Sequence, residues 1–72
     1  MRFSPTKLAA ELAKAGTTGR QLALKAGINP STVDRARSGA FEPREPTVKA
    51  LADALGISPL ALYTDEAAAV SR

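Results

Sequence analysis

The side chains of this sequence that could do chemistry are hydroxyls, carboxylates, amides and the charged groups of Lys and Arg, because Cys and His are both absent. Their absence removes disulfides, thiolate and imidazole metal ligands, and every Ser-His or Cys-His nucleophile pair. The Ser, Thr, Asp and Glu residues are scattered, and no general base can be matched with a nearby nucleophile. Carboxylate metal sites stay open in principle. We expect no enzymatic activity, no catalytic or metal site and no cofactor.

Charge is distributed unevenly along the chain. Residues 1–44 carry eight Lys/Arg against three Asp/Glu, a balance of +5, whereas residues 45–72 carry two against four, a balance of −2. A basic half joined to an acidic half indicates that one face meets a polyanion. A solvated surface with uneven charge explains the same counts, so charge alone leaves both interpretations open.

The length of 72 residues predicts one domain with a thin stability margin, because a chain this short buries only about 60% of the surface of its unfolded form. The uninterrupted apolar stretches are only a few residues long, which is too short for a membrane span or a signal peptide. The sequence therefore predicts a soluble cytoplasmic protein with no membrane contact.

Gly and Pro residues divide the sequence into five predicted helices. Ser4, Thr18, Asn29 and Ser58 are typical N-caps, and Pro often follows such a cap. The predicted helices run from Pro5 to Ala15, from Gly19 to Ala26, from Pro30 to near Gly39, from Glu45 to before Gly56, and from Pro59 through Tyr63. Residues 27–29 alone separate the second and third helices, and so short a connection indicates a helix-turn-helix.

The remaining segments carry predictions about the core and the tail. Phe41, in the loop 40–44, is expected to anchor in the core. Leu60 and Tyr63 of the fifth helix are also expected to be core residues. Residues 64–72 are Ala-rich, and they are predicted to form either one more helical turn or a disordered tail after a domain spanning residues 1–63.

Two stretches of the sequence resemble the Cro/C1-type helix-turn-helix family, the fold of lambdoid phage repressors and many small bacterial regulators. The first is QLALKAGINPSTVDRARSG, from Gln21 to Gly39, and the second is PTVKALADALGISPLALY. The resemblance covers about residues 4–63. It implies an all-α, compact five-helix lambda-repressor-like domain that binds double-stranded DNA, with the third helix in the major groove.

The resemblance also implies which residues contact DNA. The base-reading positions are Asn29, Pro30, Ser31, Thr32 and Arg35. Candidate phosphate contacts are Thr18, Gly19, Arg20, Arg37, Ser38 and Arg44. Arg35 is the strongest candidate, because its fork can span guanine O6 and N7 for about 1–3 kcal/mol of discrimination. The alternative is that Arg35 is a surface charge or a phosphate contact.

Three departures from the family pattern limit what these residues can do. Gly19 stands where many members carry a phosphate-binding Gln, so the contact there is left to backbone N–H groups. Pro30 replaces a residue that often reads a base, and it offers only van der Waals contact. Leu12 and Arg37 together replace an ion pair of the family, so we expect Leu12 to extend the core and Arg37 to meet either Glu11 or a phosphate.

The function that the resemblance implies is sequence-specific transcriptional regulation, most simply by a small Cro-like or immunity-type repressor. An antitoxin or anti-repressor that uses the same fold to bind protein is the alternative. We expect a monomer or weak homodimer that pairs on DNA, with the fifth helix as the candidate surface, and no small-molecule ligand.

Overall fold

The computed structural model of the chain describes residues 2–64. In chain order these residues form β1 (Arg2–Phe3), α1 (Pro5–Ala15), α2 (Gly19–Ala26), α3 (Pro30–Ser38), α4 (Glu45–Leu55), a 3₁₀ helix (Pro59–Leu62) and β2 (Tyr63–Thr64). The predicted helical fold is confirmed for the first four helices. No helix within the described range is long and apolar enough to span a bilayer.

Hydrogen bonds from side chains to the backbone set where the helices begin. Ser4 Oγ accepts a bond at 3.2 Å from a backbone N–H in the first turn of α1. Thr18 and Gln21 form a reciprocal capping box at the start of α2, with distances of 3.1 and 3.2 Å. Asn29 Oδ1 accepts from the first turn of α3 at 2.9 Å. These caps satisfy N–H groups that have no partner within a helix, and they confirm the predicted starts.

The connection between α2 and α3 is the tight turn that the sequence predicts. Gly27 has a φ of +73°, a left-handed conformation that costs a residue with a Cβ atom roughly 1 kcal/mol or more. The Ile28 N–H then donates to the Ala23 carbonyl oxygen at 2.8 Å, which closes the end of α2. Asn29 follows at once as the cap of α3, so the two helices are joined by three residues.

One hydrophobic core joins nearly all the elements. α2 packs against both α3 and α4, and α1 packs against α3 and the 3₁₀ helix. The buried apolar residues are Phe3, Leu8, Leu12, Leu22, Ala23, Val33, Ala36, Val48, Leu51, Ala52 and Leu62. Removing this apolar surface from water is the main term that stabilises so short a chain.

The predicted fifth α-helix is wrong. Its place is taken by the single 3₁₀ turn Pro59–Leu62, after which Tyr63 is extended and enters β2. The Leu62 carbonyl oxygen accepts a bond from the Ser4 N–H at 2.8 Å, so it is paired with the N-terminal segment instead of a further helical turn. β2 pairs antiparallel with β1, and Phe3 lies opposite Tyr63.

Two predictions about the core are also wrong. Leu60 is 65% exposed, because the 3₁₀ turn directs Leu62 inward instead. Phe41 is 38% exposed, whereas Phe3, for which no role was predicted, is 6% exposed and lies in the core. Thr64, the first residue of the predicted tail, lies in β2. The rest of that tail lies outside the described residues, so its helical or disordered state stays a prediction.

The two phenylalanines provide a matched test of this core. We expect Phe3→Ala to lower the free energy of unfolding by about 3 kcal/mol, the lower end for a buried Phe. Phe41→Ala should lower it by about 1 kcal/mol or less, because the ring is partly in solvent. Urea denaturation followed by circular dichroism measures both changes. Equal losses for the two variants would contradict the placement of Phe3.

Candidate nucleic-acid interface

Packing of α2 against α3 decides which side of α3 meets solvent. Leu22 and Ala23 of α2 are buried, as are Val33 and Ala36 of α3. The polar side chains of α3 lie outside this packed face. Those that are exposed are Ser31, Asp34, Arg35, Arg37 and Ser38. α3 therefore presents hydrogen-bonding and charged groups along its free surface, as a helix that enters the major groove must do.

The predicted base-reading residues at the start of α3 are already linked to one another. Asn29 Oδ1 accepts two bonds from Ser31, one from its N–H at 2.9 Å and one from its hydroxyl at 3.0 Å. The Ser31 oxygen therefore keeps its lone pairs, and it can accept from a base amino group. Pro30 and Thr32 are half-buried, which leaves them less surface for a base than Ser31 and Asn29 have.

Arg35 is exposed near the middle of α3, and its guanidinium lies over an aromatic ring. The Arg35 Cζ atom is 5.6 Å from the centroid of the Phe41 ring, within cation–π range. Within the described part of the chain, no carboxylate lies within ion-pair distance of Arg35. The donors of its planar fork are therefore not taken up by an acidic partner.

The start of α2 brings together three of the predicted phosphate contacts. Thr18 caps the helix, Gly19 is its buried first residue, and Arg20 is exposed beside them. The first turn of α2 contains no acidic residue. Free N–H groups and the helix dipole make such an end attractive to an anion. Thr18 Oγ1 accepts from the Gln21 N–H, which leaves the hydroxyl hydrogen of Thr18 to donate to an anion.

Arg37 lies across this end of α2, and Gly19 makes the room for it. A Cβ atom at Gly19 would be 2.8 Å from Arg37 Nη1 and 3.3 Å from Val33 Cγ1. Gly19 and Arg37 line one cleft together with Ala9, Leu12, Thr17 and Thr18. The structure therefore gives a reason for the departure at Gly19, because a larger residue there would displace the guanidinium.

The structure rules out one of the two predicted partners of Arg37. Glu11 pairs with Lys14 at 3.6 Å, so the predicted contact between Arg37 and Glu11 is wrong. Arg37 Nη1 instead lies 4.0 Å from Asp34 Oδ1, at the outer limit of an ion pair. The other half of that prediction is confirmed, because Leu12 is a core residue. Contact between Arg37 and a phosphate stays a prediction.

The last two predicted phosphate contacts have different surroundings. Ser38 Oγ donates to the Arg35 carbonyl oxygen at 3.1 Å and accepts from the Ala40 N–H at 3.3 Å, so it closes the end of α3. Arg44 is exposed at the N-cap of α4, where its side chain makes no capping bond. The exposed charge of Arg44 is therefore more available to an anion than the Ser38 hydroxyl, which already makes two hydrogen bonds.

Two residues near these helices have roles that the sequence analysis missed. Gln21 completes the capping box of α2, and its spacing of three residues from Thr18 is the signal that could have shown this. Phe41 lies against Arg35 instead of in the core. No local pattern predicts that contact, because it depends on the path of the loop after α3.

The chain matches one known protein family across most of its helices. A family model described as helix-turn-helix matches residues 8–62, which is most of the chain. This chain belongs to the helix-turn-helix family. The match confirms the resemblance to the Cro/C1 type, and membership of this helix-turn-helix family indicates a DNA-binding regulator.

Comparison with individual proteins adds a structural relative of this helix-turn-helix chain. The structure of a mutant hydroxyethylphosphonate dioxygenase is similar, with a TM-score of 0.74 and 32% sequence identity. The similarity covers 90% of this chain but only 14% of the dioxygenase chain. No curated protein matches.

The contact between Gly19 and Arg37 predicts energetic coupling between α2 and α3. Gly19→Ala should lower the free energy of unfolding more in the natural protein than in an Arg37→Ala background. Only the natural protein has a guanidinium that the new Cβ atom displaces. Because Arg37 Nη1 is the far end of a flexible side chain, we expect a coupling energy at the lower limit for contacting residues, about 0.5 kcal/mol, in urea denaturation. An Arg20→Ala background serves as the control, in which the effects should add. Equal costs of Gly19→Ala in the natural and Arg37→Ala backgrounds would refute the contact.

Proposed function

We propose that this protein is a sequence-specific transcriptional regulator of the Cro-like or immunity-repressor type, which binds operator DNA with α3 in the major groove. The observation that carries this proposal is the division of α3 into two faces. Val33 and Ala36 are buried against the core, while Ser31 and Arg35 lie on the exposed side with no acidic partner at Arg35 among residues 2–64. Membership of a helix-turn-helix family of DNA-binding regulators also supports the proposal.

Specificity in this proposal comes mainly from Arg35. Its fork binds guanine O6 and N7, while Asn29 and Ser31 contact neighbouring bases from the start of the helix. Pro30 offers only van der Waals contact, and the half-buried Thr32 adds a hydroxyl that distinguishes bases weakly. The half-site is therefore centred on one guanine, with weaker preferences around it.

Affinity in this proposal comes from phosphate contacts at two places. One is the start of α2, where Gly19 and Arg20 lie beside Arg37. The other is the region that follows α3, where Arg44 is exposed and Ser38 makes a minor contribution. Each phosphate that is neutralised releases counterions, so binding weakens as salt rises.

The protein acts in this proposal by binding and not by catalysis. A sequence without Cys and His offers no Ser-His or Cys-His nucleophile pair, and the exposed face of α3 serves recognition in this proposal. The similar dioxygenase shares only 14% of its chain with this protein, so its activity is not transferred here. The site of action is the bacterial cytoplasm or a phage-infected host cell, and we propose no cofactor or small-molecule ligand.

Selection of bound sites from random duplex DNA tests the base contacts. The natural protein should select a motif with a dominant guanine, and Arg35→Ala should reduce discrimination at that position by about 10- to 100-fold. Lys25→Ala, which removes an exposed charge in the last turn of α2, should leave the motif unchanged. A motif that does not respond to Arg35→Ala would refute the assignment of Arg35.

The salt dependence of binding tests the phosphate contacts. Arg20→Ala and Arg37→Ala should each reduce the slope of log K against log salt by about 0.9, with the same preferred sequence. Lys25→Ala is again the matched control, because it removes one exposed charge outside the proposed contacts. Slopes that are equal in all four proteins would rule out phosphate contacts at Arg20 and Arg37.

Pairing on DNA is part of the proposal, because one module contacts only a few base pairs. Leu60, which is 65% exposed, lines a groove with Pro46, Pro59 and Tyr63 and is the surface that we propose for a weak homodimer. Sedimentation at nanomolar concentration should show a monomer without DNA. A tight dimer at that concentration would contradict weak pairing.

The same exposed Leu60 favours a second candidate function. An apolar side chain beside a groove suits a protein partner, as an antitoxin or anti-repressor would require. Mobility-shift assays separate the two functions. A regulator should shift operator DNA at about 50 mM salt, whereas failure to shift any native upstream region at that salt would favour the protein-binding function.

A further inference from the structure

We propose that Phe41 is a positioning residue for the base contact of Arg35, and that its ring holds the guanidinium ready for guanine before DNA binds. This inference rests on the proposed function. The observation behind it is the 5.6 Å separation between Arg35 Cζ and the centroid of the Phe41 ring. Phe41 itself is 38% exposed, more than the core role predicted for it would allow.

The backbone on both sides of Phe41 is held in place. On one side the Ala40 N–H donates to the Arg35 carbonyl oxygen at 3.0 Å, which links the loop to the residue whose side chain the ring meets. On the other side Glu42 accepts from the Phe3 N–H at 3.3 Å and pairs with Arg2 at 3.4 Å. The next residue, Pro43, is buried. The segment that carries the ring is therefore connected both to the end of α3 and, through the Glu42 carboxylate, to the N-terminal strand.

A ring is a suitable support for an Arg that must bind a base. A carboxylate would occupy the N–H donors of the guanidinium, whereas the face of a ring attracts its charge without a lone pair to accept from those donors. The fork of Arg35 thus stays available for guanine O6 and N7. Holding a long side chain in place before binding also reduces the entropy that is lost in the complex.

Variants at Phe41 separate the ring's electrostatic effect from its bulk. Phe41→Leu keeps an apolar side chain but removes the ring, and it should reduce discrimination for guanine over other bases by about two- to five-fold. Phe41→Tyr should restore the natural discrimination. In an Arg35→Ala background, Phe41→Leu should have no effect on discrimination. Thermal denaturation of each variant confirms that it is folded at the temperature of the binding assay.

A second measurement needs no DNA. In the free protein the ring current of Phe41 should shift the Arg35 side-chain proton resonances upfield, and Phe41→Leu should abolish that shift while Phe41→Tyr keeps it. Absence of the shift in the natural protein would overturn the contact. Higher discrimination in Phe41→Leu would also overturn the proposal, because the ring would then be holding Arg35 away from the base.

These outcomes distinguish the inference from the function on which it rests. If the natural protein selects no DNA motif, the proposed function fails. If it selects a guanine that depends on Arg35, but Phe41→Leu discriminates as well as the natural protein, the function stands and the role of Phe41 is wrong. If both Phe41→Leu and Phe41→Tyr lose discrimination equally, the ring itself is not the cause and the proposal is also wrong.

Discussion

Close packing between the start of α2 and the inner face of α3 is the constraint on which the rest of this structure depends. The backbone of Gly19 lies so near α3 that an added Cβ atom would be 3.3 Å from Val33 Cγ1. Ala23 and Ala36 are small and fully buried in the same core. Because interiors are close-packed, this approach fixes the rotation of α3. That rotation decides that Arg35 is exposed while Val33 is not.

The N-terminal strand extends this constraint to the loop that follows α3. β1 pairs with β2 and contributes Phe3 to the core, while the Phe3 N–H donates to Glu42 in the loop. The loop is therefore held between the end of α3 and the N-terminal strand. This loop carries the Phe41 ring to a position 5.6 Å from the Arg35 Cζ atom.

Helix starts were predictable from the sequence because caps are local. Thr18 and Asn29 satisfy N–H groups two or three residues away, so composition and spacing are sufficient to place them. The pairing of β1 with β2 was not predictable, since it joins residues about sixty positions apart over only two residues each. The prediction that Leu60 is buried was wrong for the same reason, because its position also depends on a contact between distant parts of the chain. Its exposure depends on a 3₁₀ turn that ends where Leu62 bonds to the N-terminal segment.

The candidate site was predictable in its positions but not in its internal contacts. The family resemblance implies that Arg37 does not form the ion pair found in other members, but it does not predict where the guanidinium lies. In the structure it lies beside the start of α2, which carries the positive end of the helix dipole and no acidic residue in its first turn. The positive charge of Arg37 beside the positive end of the helix dipole lowers the stability of the free protein by about 0.3–1 kcal/mol. In the proposed complex a phosphate at this position would relieve that cost, so the arrangement that weakens the free domain would favour binding of DNA.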